Sequence, residues 1–251
     1  MLTNQTIFIT GATSGFGLAC ARLFTSHGAR VIATGRREER LARLKNESPL
    51  IHTMVLDVQE RSQVEQAIAS LPPEFAQVDI LINNAGLALG LSPYEALSMD
   101  EIEQMVRTNI NGVLYCTHAL LPGMIKRGRG HIVNLSSIAG TYPYPGGNVY
   151  GASKAFLTQF TLNLKADLLG KNIRVTSIEP GMCETEFSNV RFHGDNTRAA
   201  SVYAGMTPLS ADDIAQTIYW TLTQPPHVNI NRVEIMPTEQ AFSPFAVSRK
   251  N

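Results

Sequence analysis

The sequence has few of the residues that stabilise small proteins through disulfides or metals. Its three cysteines, Cys20, Cys116 and Cys183, are widely spaced, and no two of them are separated by two residues. Its six histidines are scattered, with no pair at helical spacing. Structural zinc sites use closely spaced pairs of these residues. We therefore expect neither disulfides nor a metal site.

Long apolar runs and a net charge are also absent. Hydrophobic residues make up 44% of the chain but are dispersed, and no run approaches the roughly 20 residues that cross a bilayer. The first residues lack the basic start of a secretory signal. The 21 basic and 21 acidic residues balance, so no global field attracts nucleic acid or an anionic membrane. We expect a soluble, cytoplasmic protein whose partner is a small metabolite.

Short β-branched or apolar runs alternate with amphipathic stretches along the chain. Apolar residues recur at intervals of three and four in 17–27, 61–71 and 149–169, which predicts helices. Strands that alternate with helices favour a parallel sheet covered on both faces. We therefore predict an α/β fold, a single domain over 1–251 with one Rossmann-type doubly wound sheet. Its about seven strands are expected at 6–10, 30–34, 51–56, 79–83, 131–135, 173–178 and 232–236.

The least regular region is 183–208, where Gly194, Asp195 and Asn196 interrupt any pattern before a helix resumes at 209–223. A lid over a substrate pocket would have this character, and so would an ordinary surface loop. The sequence leaves both interpretations open.

A glycine-rich turn joins the first predicted strand to the first helix. Its glycines let the backbone turn tightly and approach a pyrophosphate, whose charge is favoured by the amides and dipole at a helix start. A purely structural turn is the alternative. The context predicts a dinucleotide site that includes Gly11, Thr13, Ser14, Gly15, Phe16 and Gly17.

The second predicted strand ends without the acidic residue that binds the ribose hydroxyls of NAD. Instead, Gly35 is followed by Arg36 and Arg37. Two guanidinium groups suit the 2′-phosphate of NADP, which they bind through charge-assisted contacts. A solvated, arginine-rich helix start is the plainer interpretation. We favour NADP(H) as the cofactor.

Tyr150 and Lys154 open a long predicted helix, and their four-residue spacing places them on one face. A phenol has a pKa of about 10, so acid–base chemistry near neutrality requires a shift of about three units, or roughly 4 kcal/mol. One ammonium at about 4 Å contributes on the order of 4 kcal/mol under an effective dielectric of about 20. We therefore expect Lys154 to lower the pKa of Tyr150 by most of this amount.

Together these motifs resemble the short-chain dehydrogenase/reductase family. Three residues separate the first two glycines of the turn, which is the spacing of that family rather than of the larger dinucleotide dehydrogenases. The resemblance covers the chain from Thr10 to at least Thr185. Beyond the turn it rests on Asn83-Asn84-Ala85-Gly86, Asn109, Ser137, Tyr150-Gly151-Ala152-Ser153-Lys154, and Pro180-Gly181 with Thr185.

The resemblance implies that the cofactor transfers a hydride while Tyr150 exchanges a proton with the oxygen of an alcohol or carbonyl compound. Ser137, with Ser136 as the neighbouring candidate, would polarise that oxygen. Lys154 would hold the nicotinamide ribose, and Asn109 would support a water-linked proton relay. Further implied cofactor contacts are Asp57, Val58, Asn84, Ala85, Gly86, Tyr150, Pro180, Gly181 and Thr185. Each residue taken singly has a plainer role, such as a helix cap for Asp57.

Four longer stretches, 84–90, 145–151, 185–192 and 227–231, resemble the NADP-dependent 3-hydroxy acid (serine-type) dehydrogenases within that family. This implies oxidation of 3-hydroxy acids or serine-like compounds and reduction of short semialdehydes such as malonic semialdehyde. Similar reductases act on sulfoacetaldehyde, and the sequence does not separate the two substrates.

The anionic group of such a substrate needs a cationic partner. We expect Arg191, or less favourably Arg198, to bind it, because a guanidinium pairs with two oxygens of a carboxylate or sulfonate. An arginine that only holds the loop to the domain is the alternative. The expected substrate contacts are Ser137, Tyr150, Asn148 and Arg191.

Relatives in this family pair their long helices, here 111–126 and 149–169, so the resemblance implies a homotetramer built as a dimer of dimers. The tail 241–251 would complete a neighbour's pocket or be disordered, and the sequence does not decide between them. A non-catalytic NADP(H)-binding sensor is the alternative of another class. Such sensors often lack the tyrosine or the serine, so the intact set of four residues favours an enzyme.

Overall fold

Seven parallel strands form one sheet in the computed structural model of the chain, which describes residues 2–242 and 246–249. The predicted fold class is confirmed, and every predicted strand is present with ends that differ by at most two residues. The strands are β1 (Thr6–Ile9), β2 (Arg30–Gly35), β3 (Ile51–Val55), β4 (Ile80–Asn83), β5 (Gly130–Leu135), β6 (Ile173–Pro180) and β7 (Arg232–Ile235).

Helices cover the sheet within the described residues, and none of them combines the length and apolar character needed to cross a membrane. A π-helical turn, Arg107–Asn111, joins the fourth α-helix to the fifth α-helix. The α-helices are α1 (Gly15–Ser26), α2 (Glu38–Lys45), α3 (Arg61–Ala69), α4 (Met99–Val106), α5 (Gly112–Arg127), α6 (Asn148–Asp167), α7 (Phe187–Arg191), α8 (Asn196–Ser201) and α9 (Ala211–Leu222).

The region 183–208 is more regular than its sequence suggests, because it contains α7 and α8. These helices have 5 and 6 residues, which is too short for a hydrophobic period to show in the sequence. Asp195 caps α8, since its side chain accepts a hydrogen bond from the Arg198 N–H at 3.0 Å. The break in pattern around Asp195 is therefore the start of a helix.

Alternate residues of β1 pack against opposite layers of helices. Ile7 and Ile9 belong to a buried cluster that includes Phe24 of α1 and Ile214 of α9. Phe8 belongs to a second buried cluster, on the face covered by α3, α5 and α6. The sheet is thus buried on both faces, as a doubly wound fold requires.

The strand order β3-β2-β1-β4-β5-β6-β7 creates a crevice at one edge of the sheet. β2 and β3 lie on one side of β1, and β4 to β7 lie on the other. In doubly wound sheets ligands bind outside the carboxyl ends of the strands at this point of reversal. The turn after β1 and the loop after β4 therefore border one crevice.

A buried carboxylate, Glu179, joins three elements near the end of β6. Its side chain is 0% exposed and accepts hydrogen bonds from Ser177 at 2.7 Å and from Thr158 of α6 at 3.1 Å. Arg232 of β7 donates from Nε at 3.0 Å and from Nη2 at 2.6 Å. These donors offset the cost of burying a charge, which is high for an unpaired carboxylate.

We expect Arg232→Met to lower the free energy of unfolding by about 2 kcal/mol. This is below the roughly 3–5 kcal/mol of a fully buried pair, because the Arg232 side chain is 41% exposed and water can partly replace it. Urea unfolding at fixed protein concentration measures the change. The control is Arg61→Met, which removes a pair whose side chains are 68% and 51% exposed and should cost less than about 0.5 kcal/mol. Equal losses in the two variants would contradict this prediction.

Candidate active site

Contacts from the loop after β4 hold the glycine-rich turn. Thr10 Oγ1 accepts hydrogen bonds from the backbone N–H groups of Asn84 at 3.0 Å and Ala85 at 2.9 Å. Asn84 Nδ2 donates to the carbonyl oxygens of Thr10 at 2.8 Å and Gly11 at 3.1 Å. Gly11 has a φ of +69°, and a Cβ at Gly17 would lie 2.5 Å from the Gly11 carbonyl oxygen. Both positions therefore require glycine.

A cavity of about 270 Å³, here called the dinucleotide cavity, runs from this turn along the ends of β2 and β3. A smaller cavity of about 100 Å³ continues it past Lys154 and shares Phe16, Asn84 and Thr185 with it. The two together fit an elongated ligand with its phosphates at the start of α1. Of the predicted cofactor residues, Gly11, Thr13, Ser14, Gly15, Phe16, Arg36, Arg37, Asp57, Val58, Asn84, Ala85, Gly86, Tyr150, Lys154, Pro180, Gly181 and Thr185 line one or both.

The arginines that follow β2 differ in their contacts. Arg37 donates from Nε to Thr13 at 2.9 Å, from Nη2 to Ser14 at 2.6 Å and from Nη1 to Glu186 at 2.8 Å. Arg36 has, within the described residues, a single ion-pair contact, 3.8 Å from Asp57, and its side chain is 57% exposed. The guanidinium of Arg36 is therefore open to a ligand, whereas that of Arg37 is largely used within the protein.

Asp57 does not take the plainer role of a helix cap, because the N-cap residue of α3 is Glu60. It lines the dinucleotide cavity, and its Oδ1 also accepts a hydrogen bond from the Gln59 N–H at 3.0 Å. The second contact is an Asx turn ahead of α3, which fixes the carboxylate at the mouth of the cavity.

Tyr150, Lys154 and Ser137 meet at the carboxyl ends of β5 and β6. Lys154 Nζ lies 5.7 Å from the centroid of the Tyr150 ring and donates to the Leu135 carbonyl oxygen at 2.7 Å. Ser137 is hydrogen-bonded to Tyr150 through its side chain and donates to the Pro180 carbonyl oxygen at 3.3 Å. The structure thus brings the three predicted residues into one cluster.

Ser136, the neighbouring candidate, faces α6 instead. Its Oγ donates to the Lys154 carbonyl oxygen at 2.7 Å and lies 2.9 Å from Thr158 Oγ1. Its hydroxyl proton is therefore used to hold the helix, and Ser137 is the serine that contacts Tyr150.

Burial changes the titration of this cluster. The pKa of Tyr150 is raised, because burial and the neighbouring Tyr144 outweigh the lowering by the Ser137 hydrogen bond and by Arg191. Burial also lowers the pKa of Lys154 to about 8. Lys154, itself desolvated, is not among the groups that lower this pKa, so its expected effect on the phenol stays a prediction. Arg191, whose guanidinium carbon lies 5.6 Å from the Tyr150 ring centroid, is a cation that lowers the pKa of Tyr150.

Asn109 lies in the π-helical turn and is completely buried. Its Oδ1 accepts from the Leu87 N–H at 2.9 Å, and its Nδ2 donates to the Leu87 carbonyl oxygen at 2.8 Å and to Ser153 Oγ at 3.0 Å. A Cβ at Gly86 would lie 3.3 Å from Lys154 Nζ and 3.4 Å from Asn109 Oδ1. Asn109 therefore holds the loop after β4 against α6, close to the lysine.

A cavity of about 120 Å³, here called the Tyr150 cavity, opens beside Tyr150 and Ser137. Arg191 lies in its wall, where Nε donates to the Gly90 carbonyl oxygen at 3.1 Å and Nη2 donates to Tyr144 Oη at 2.7 Å. No described residue accepts a hydrogen bond from Nη1. Arg191 therefore holds the loop to the domain, and its expected binding of the substrate's acid group stays a prediction.

Two residues expected near the substrate lie elsewhere, which corrects that expectation. Asn148 Nδ2 donates to the Ser92 carbonyl oxygen at 3.1 Å, and its side-chain oxygen accepts from the Val149 N–H at 2.6 Å. Its polar atoms are used where α6 begins, and it lines a separate cavity. The Arg198 guanidinium carbon lies 4.6 Å from the Phe192 ring centroid, and Arg198 is not in the wall of the Tyr150 cavity.

Sequence reasoning missed Glu186, Arg40 and Gln240. Glu186 pairs with Arg37 and, at 2.7 Å, with Arg40, although its position next to Thr185 was a signal that it borders the cofactor residues. Gln240 lines the Tyr150 cavity and accepts a hydrogen bond from the Met182 N–H at 2.8 Å. No motif marked Gln240, because only the return of the C-terminal segment brings it to the site.

Part of the tail, residues 243–245 and 250–251, lies outside the described residues. The described part contacts its own chain. The Ala241 N–H donates to the Ala246 carbonyl oxygen at 2.8 Å, and Arg249 donates to the carbonyl oxygens of Val202, at 3.1 Å, and of Ala204. The tail therefore packs on the segment that follows α8.

One of the cysteines, Cys183, lies in the walls of the Tyr150 cavity and of the smaller cavity beside Lys154. The three cysteines are free and buried, and burial raises the pKa of Cys116 and of Cys183 to about 12. Within residues 2–242 and 246–249, no group of three histidine, cysteine, aspartate or glutamate side chains is arranged to hold a metal ion.

The sequence is similar to proteins of one family over nearly its whole length. The family model described as short chain dehydrogenase matches residues 5–196. Serine 3-dehydrogenase of Agrobacterium fabrum strain C58 is 53% identical over 249 residues, which cover 99% of this chain and 100% of the relative. NADP-dependent 3-hydroxy acid dehydrogenase YdfG of Escherichia coli strain K12 is 49% identical over 246 residues, covering 97% and 99%.

Solved structures agree with these sequence relatives. The closed form of serine dehydrogenase complexed with NADP+ matches with a TM-score of 0.94 and 49% identity, covering 98% of this chain and 100% of the other. Serine dehydrogenase from Escherichia coli matches with a TM-score of 0.84 and 45% identity, covering 94% and 100%. The match extends across the glycine-rich turn and the Tyr150 cluster alike, and the chain belongs to the short-chain dehydrogenase family.

Proposed function

We propose that this protein is an NADP(H)-dependent oxidoreductase that interconverts a short 3-hydroxy acid, or a serine-like compound, with its semialdehyde or ketone. The observation that carries the proposal is the Tyr150, Ser137 and Lys154 cluster, which lies where the dinucleotide cavity and its continuation meet a small cavity with Arg191 in its wall. The names of the relatives, a serine 3-dehydrogenase and an NADP-dependent 3-hydroxy acid dehydrogenase, support it.

The dinucleotide cavity offers a contact for each part of the cofactor. The start of α1 and the glycine-rich turn would favour the pyrophosphate, Asp57 and Val58 would border the adenine, and Arg36 would bind the 2′-phosphate. Lys154 would hold the nicotinamide ribose, and Pro180, Gly181 and Thr185 would border the nicotinamide. When bound, NADPH supplies the hydride for reduction and NADP+ accepts it in oxidation.

Tyr150 moves the proton. In reduction the Tyr150 Oη proton passes to the carbonyl oxygen of the substrate, which becomes the hydroxyl of the alcohol, and a phenolate remains at Tyr150. Ser137 Oγ donates its single proton to the Pro180 carbonyl oxygen at 3.3 Å in this structure, and on substrate binding it would turn that proton to the substrate's oxygen and stabilise its developing charge. Because the pKa of Tyr150 is raised, the phenol is protonated at neutral pH, which is the state that reduction requires.

Two cations stabilise the phenolate that reduction leaves. Lys154 Nζ lies 5.7 Å and the Arg191 guanidinium carbon 5.6 Å from the Tyr150 ring centroid. Their attraction for a negative Oη is strengthened by the low dielectric of the surroundings. Asn109 acts through Ser153 and Leu87 to keep α6 in place.

The walls of the Tyr150 cavity favour a short anionic substrate. The volume of about 120 Å³ is small, and Arg191 Nη1 has N–H groups that suit a carboxylate. A carboxylate one carbon from the reacting carbonyl, as in malonic semialdehyde, would lie between Arg191 and Tyr150. A sulfonate presents a similar charge, so sulfoacetaldehyde is the competing substrate in the test below.

The segment 183–208 is proposed to act as a lid over both cavities of a single domain, 1–251. At its start Glu186 pairs with Arg37 and Arg40 beside the cofactor turn. At the other end of α7 the Gly90 N–H donates to the Arg191 carbonyl oxygen at 2.9 Å. These contacts support the lid because they join α7 to the body at both of its ends.

We propose that the protein is cytoplasmic and forms a homotetramer. Three free, buried cysteines support a reducing compartment. Ile125 is an exposed apolar residue on α5, and Phe156 and Phe160 stack on α6 with ring centroids 5.8 Å apart. These features support subunit pairing through α5 and α6.

We expect the purified protein to oxidise NADPH in the presence of malonic semialdehyde, and Tyr150→Phe to lower kcat by about 10³-fold, because general acid catalysis contributes in this range. Loss of absorbance by NADPH measures the rate. Phenylalanine keeps the ring that contacts Phe187 and Arg191, so the Kd for NADPH should stay within about twofold. Sulfoacetaldehyde and a neutral aldehyde are the comparison substrates.

The outcome separates the alternatives. Turnover of sulfoacetaldehyde but not of malonic semialdehyde would mean that the acid group of the substrate is a sulfonate and not a carboxylate. Tight NADPH binding without turnover of any aldehyde would overturn the enzymatic proposal and favour a sensor.

Arg36→Ala should weaken NADPH binding by about 10- to 100-fold, the value of a lost charge-assisted contact, and leave the Kd for NADH nearly unchanged. Fluorescence titration measures both constants. Arg37→Ala should weaken the binding of both NADPH and NADH, because it removes the hydrogen bonds that Arg37 donates to Thr13 and Ser14. Arg43→Ala, an exposed change on α2, is the matched control. If Arg37→Ala weakened the binding of NADPH relative to NADH more than Arg36→Ala did, the 2′-phosphate would be assigned to Arg37 instead of Arg36.

Arg191→Met should raise the KM for malonic semialdehyde by about 10- to 100-fold through loss of a charge-assisted pair. The KM for its methyl ester, which is one carbon longer and carries no charge, should change by less than about threefold. Arg198→Met removes a guanidinium outside the Tyr150 cavity and is the matched control. An unchanged KM for the acid would exclude Arg191 as its partner.

A further inference from the structure

Gln240 lies in the wall of the Tyr150 cavity with half of its amide unused. The side chain is 8% exposed, and its Oε1 accepts the Met182 N–H at 2.8 Å. Its Nε2 is buried and has no hydrogen-bond partner among the described residues. The Met182 N–H fixes which atom of the amide is the oxygen. In the flipped amide, Nε2 would face the Met182 N–H, and two donors would oppose each other. Gln240 therefore presents N–H groups without an acceptor.

The backbone around Gln240 fixes the position of this amide. The Gln240 N–H donates to the Pro237 carbonyl oxygen at 3.0 Å, and Gln240 forms an isolated antiparallel bridge with Val247. A side chain at Gly181 would collide with Gln240 Oε1, so the glycine makes room for the amide. The amide is thus held by the C-terminal segment and by the end of β6, independently of α7.

The other groups in this wall indicate which ligand would satisfy Nε2. Tyr203 Oη donates to the Cys183 carbonyl oxygen at 2.8 Å and lies 2.7 Å from Ser188 Oγ, so its hydroxyl is already bonded. Arg191 Nη1 is the second donor without an acceptor among the described residues. Much of the remaining wall is apolar, including Met182 and Phe192. Two unpaired donors in such a wall favour a ligand with at least two acceptor oxygens.

We propose that Gln240 is a specificity-determining residue whose Nε2–H group donates to an oxygen of the substrate's acid group, while Arg191 binds that group from α7. The inference rests on the proposed function and adds that the C-terminal segment of the same chain selects acids over neutral aldehydes. A buried donor without an acceptor destabilises the protein, and an acid oxygen removes this penalty when it binds. The oxygen of a neutral ester accepts a weaker hydrogen bond than a carboxylate oxygen and removes less of the penalty, which is how polar groups discriminate between similar substrates.

The test compares malonic semialdehyde with its methyl ester in two variants, with NADPH at saturation. Gln240→Met removes the donor at similar size and should raise the KM for the acid about tenfold while the KM for the ester stays within about twofold. Gln240→Glu keeps an oxygen for the Met182 N–H and replaces the donor by a carboxylate oxygen, so it should raise the KM for the acid at least as much. Gln66→Glu, an exposed change on α3, is the matched control and should alter neither constant.

An equal change for acid and ester in a variant that still binds NADPH would overturn the role of Gln240, because a structural defect does not distinguish the two substrates. An unchanged KM for the acid in both variants would overturn it as well. Failure of the proposed function would appear in the unmodified protein, as no NADPH oxidation with either compound. The two failures are therefore distinguishable.

Discussion

The active site depends on directional polar contacts that dock α6 against β5 and β6. Ser136 Oγ donates to the Lys154 carbonyl oxygen at 2.7 Å, and Thr158 donates to the buried carboxylate of Glu179 at 3.1 Å. Apolar packing alone tolerates rotation and sliding of a helix, whereas hydrogen bonds between buried groups do not, because each broken bond leaves an unsatisfied polar atom. These contacts fix the rotation of α6, so that Tyr150 faces the crevice.

The same burial that shapes the site also sets its charges. Desolvation raises the pKa of Tyr150 and lowers that of Lys154 to about 8. Burial therefore disfavours the charged form of both side chains, compared with the same two residues at a surface. The second cation, Arg191, restores positive charge at the phenol from a different element. Proton transfer at Tyr150 is therefore tied to the position of α7, and Glu186 links α7 in turn to the arginines beside the cofactor turn.

Much of the fold and of the cofactor site could be predicted because the signals are local. The seven strands follow from apolar runs, and the glycine-rich turn follows from the steric needs of consecutive residues. The region 183–208 was harder, since helices of 5 and 6 residues carry too few positions for a period. Asn148 was misplaced because its polarity suggested a pocket, whereas its side chain is used where α6 begins.

The sequence by itself determined the parallel sheet, the dinucleotide turn and the spacing of Tyr150 and Lys154, because each depends on residues close together in the chain. Tertiary structure alone decided which arginine remains open to the cofactor, that Arg191 lies beside the phenol, and that Gln240 joins the Tyr150 cavity. These depend on burial and on hydrogen-bond partners far apart in sequence, such as Arg37 with Glu186 and Met182 with Gln240. The free energy of a charge or an amide is set by such neighbours, and only the folded chain brings them together.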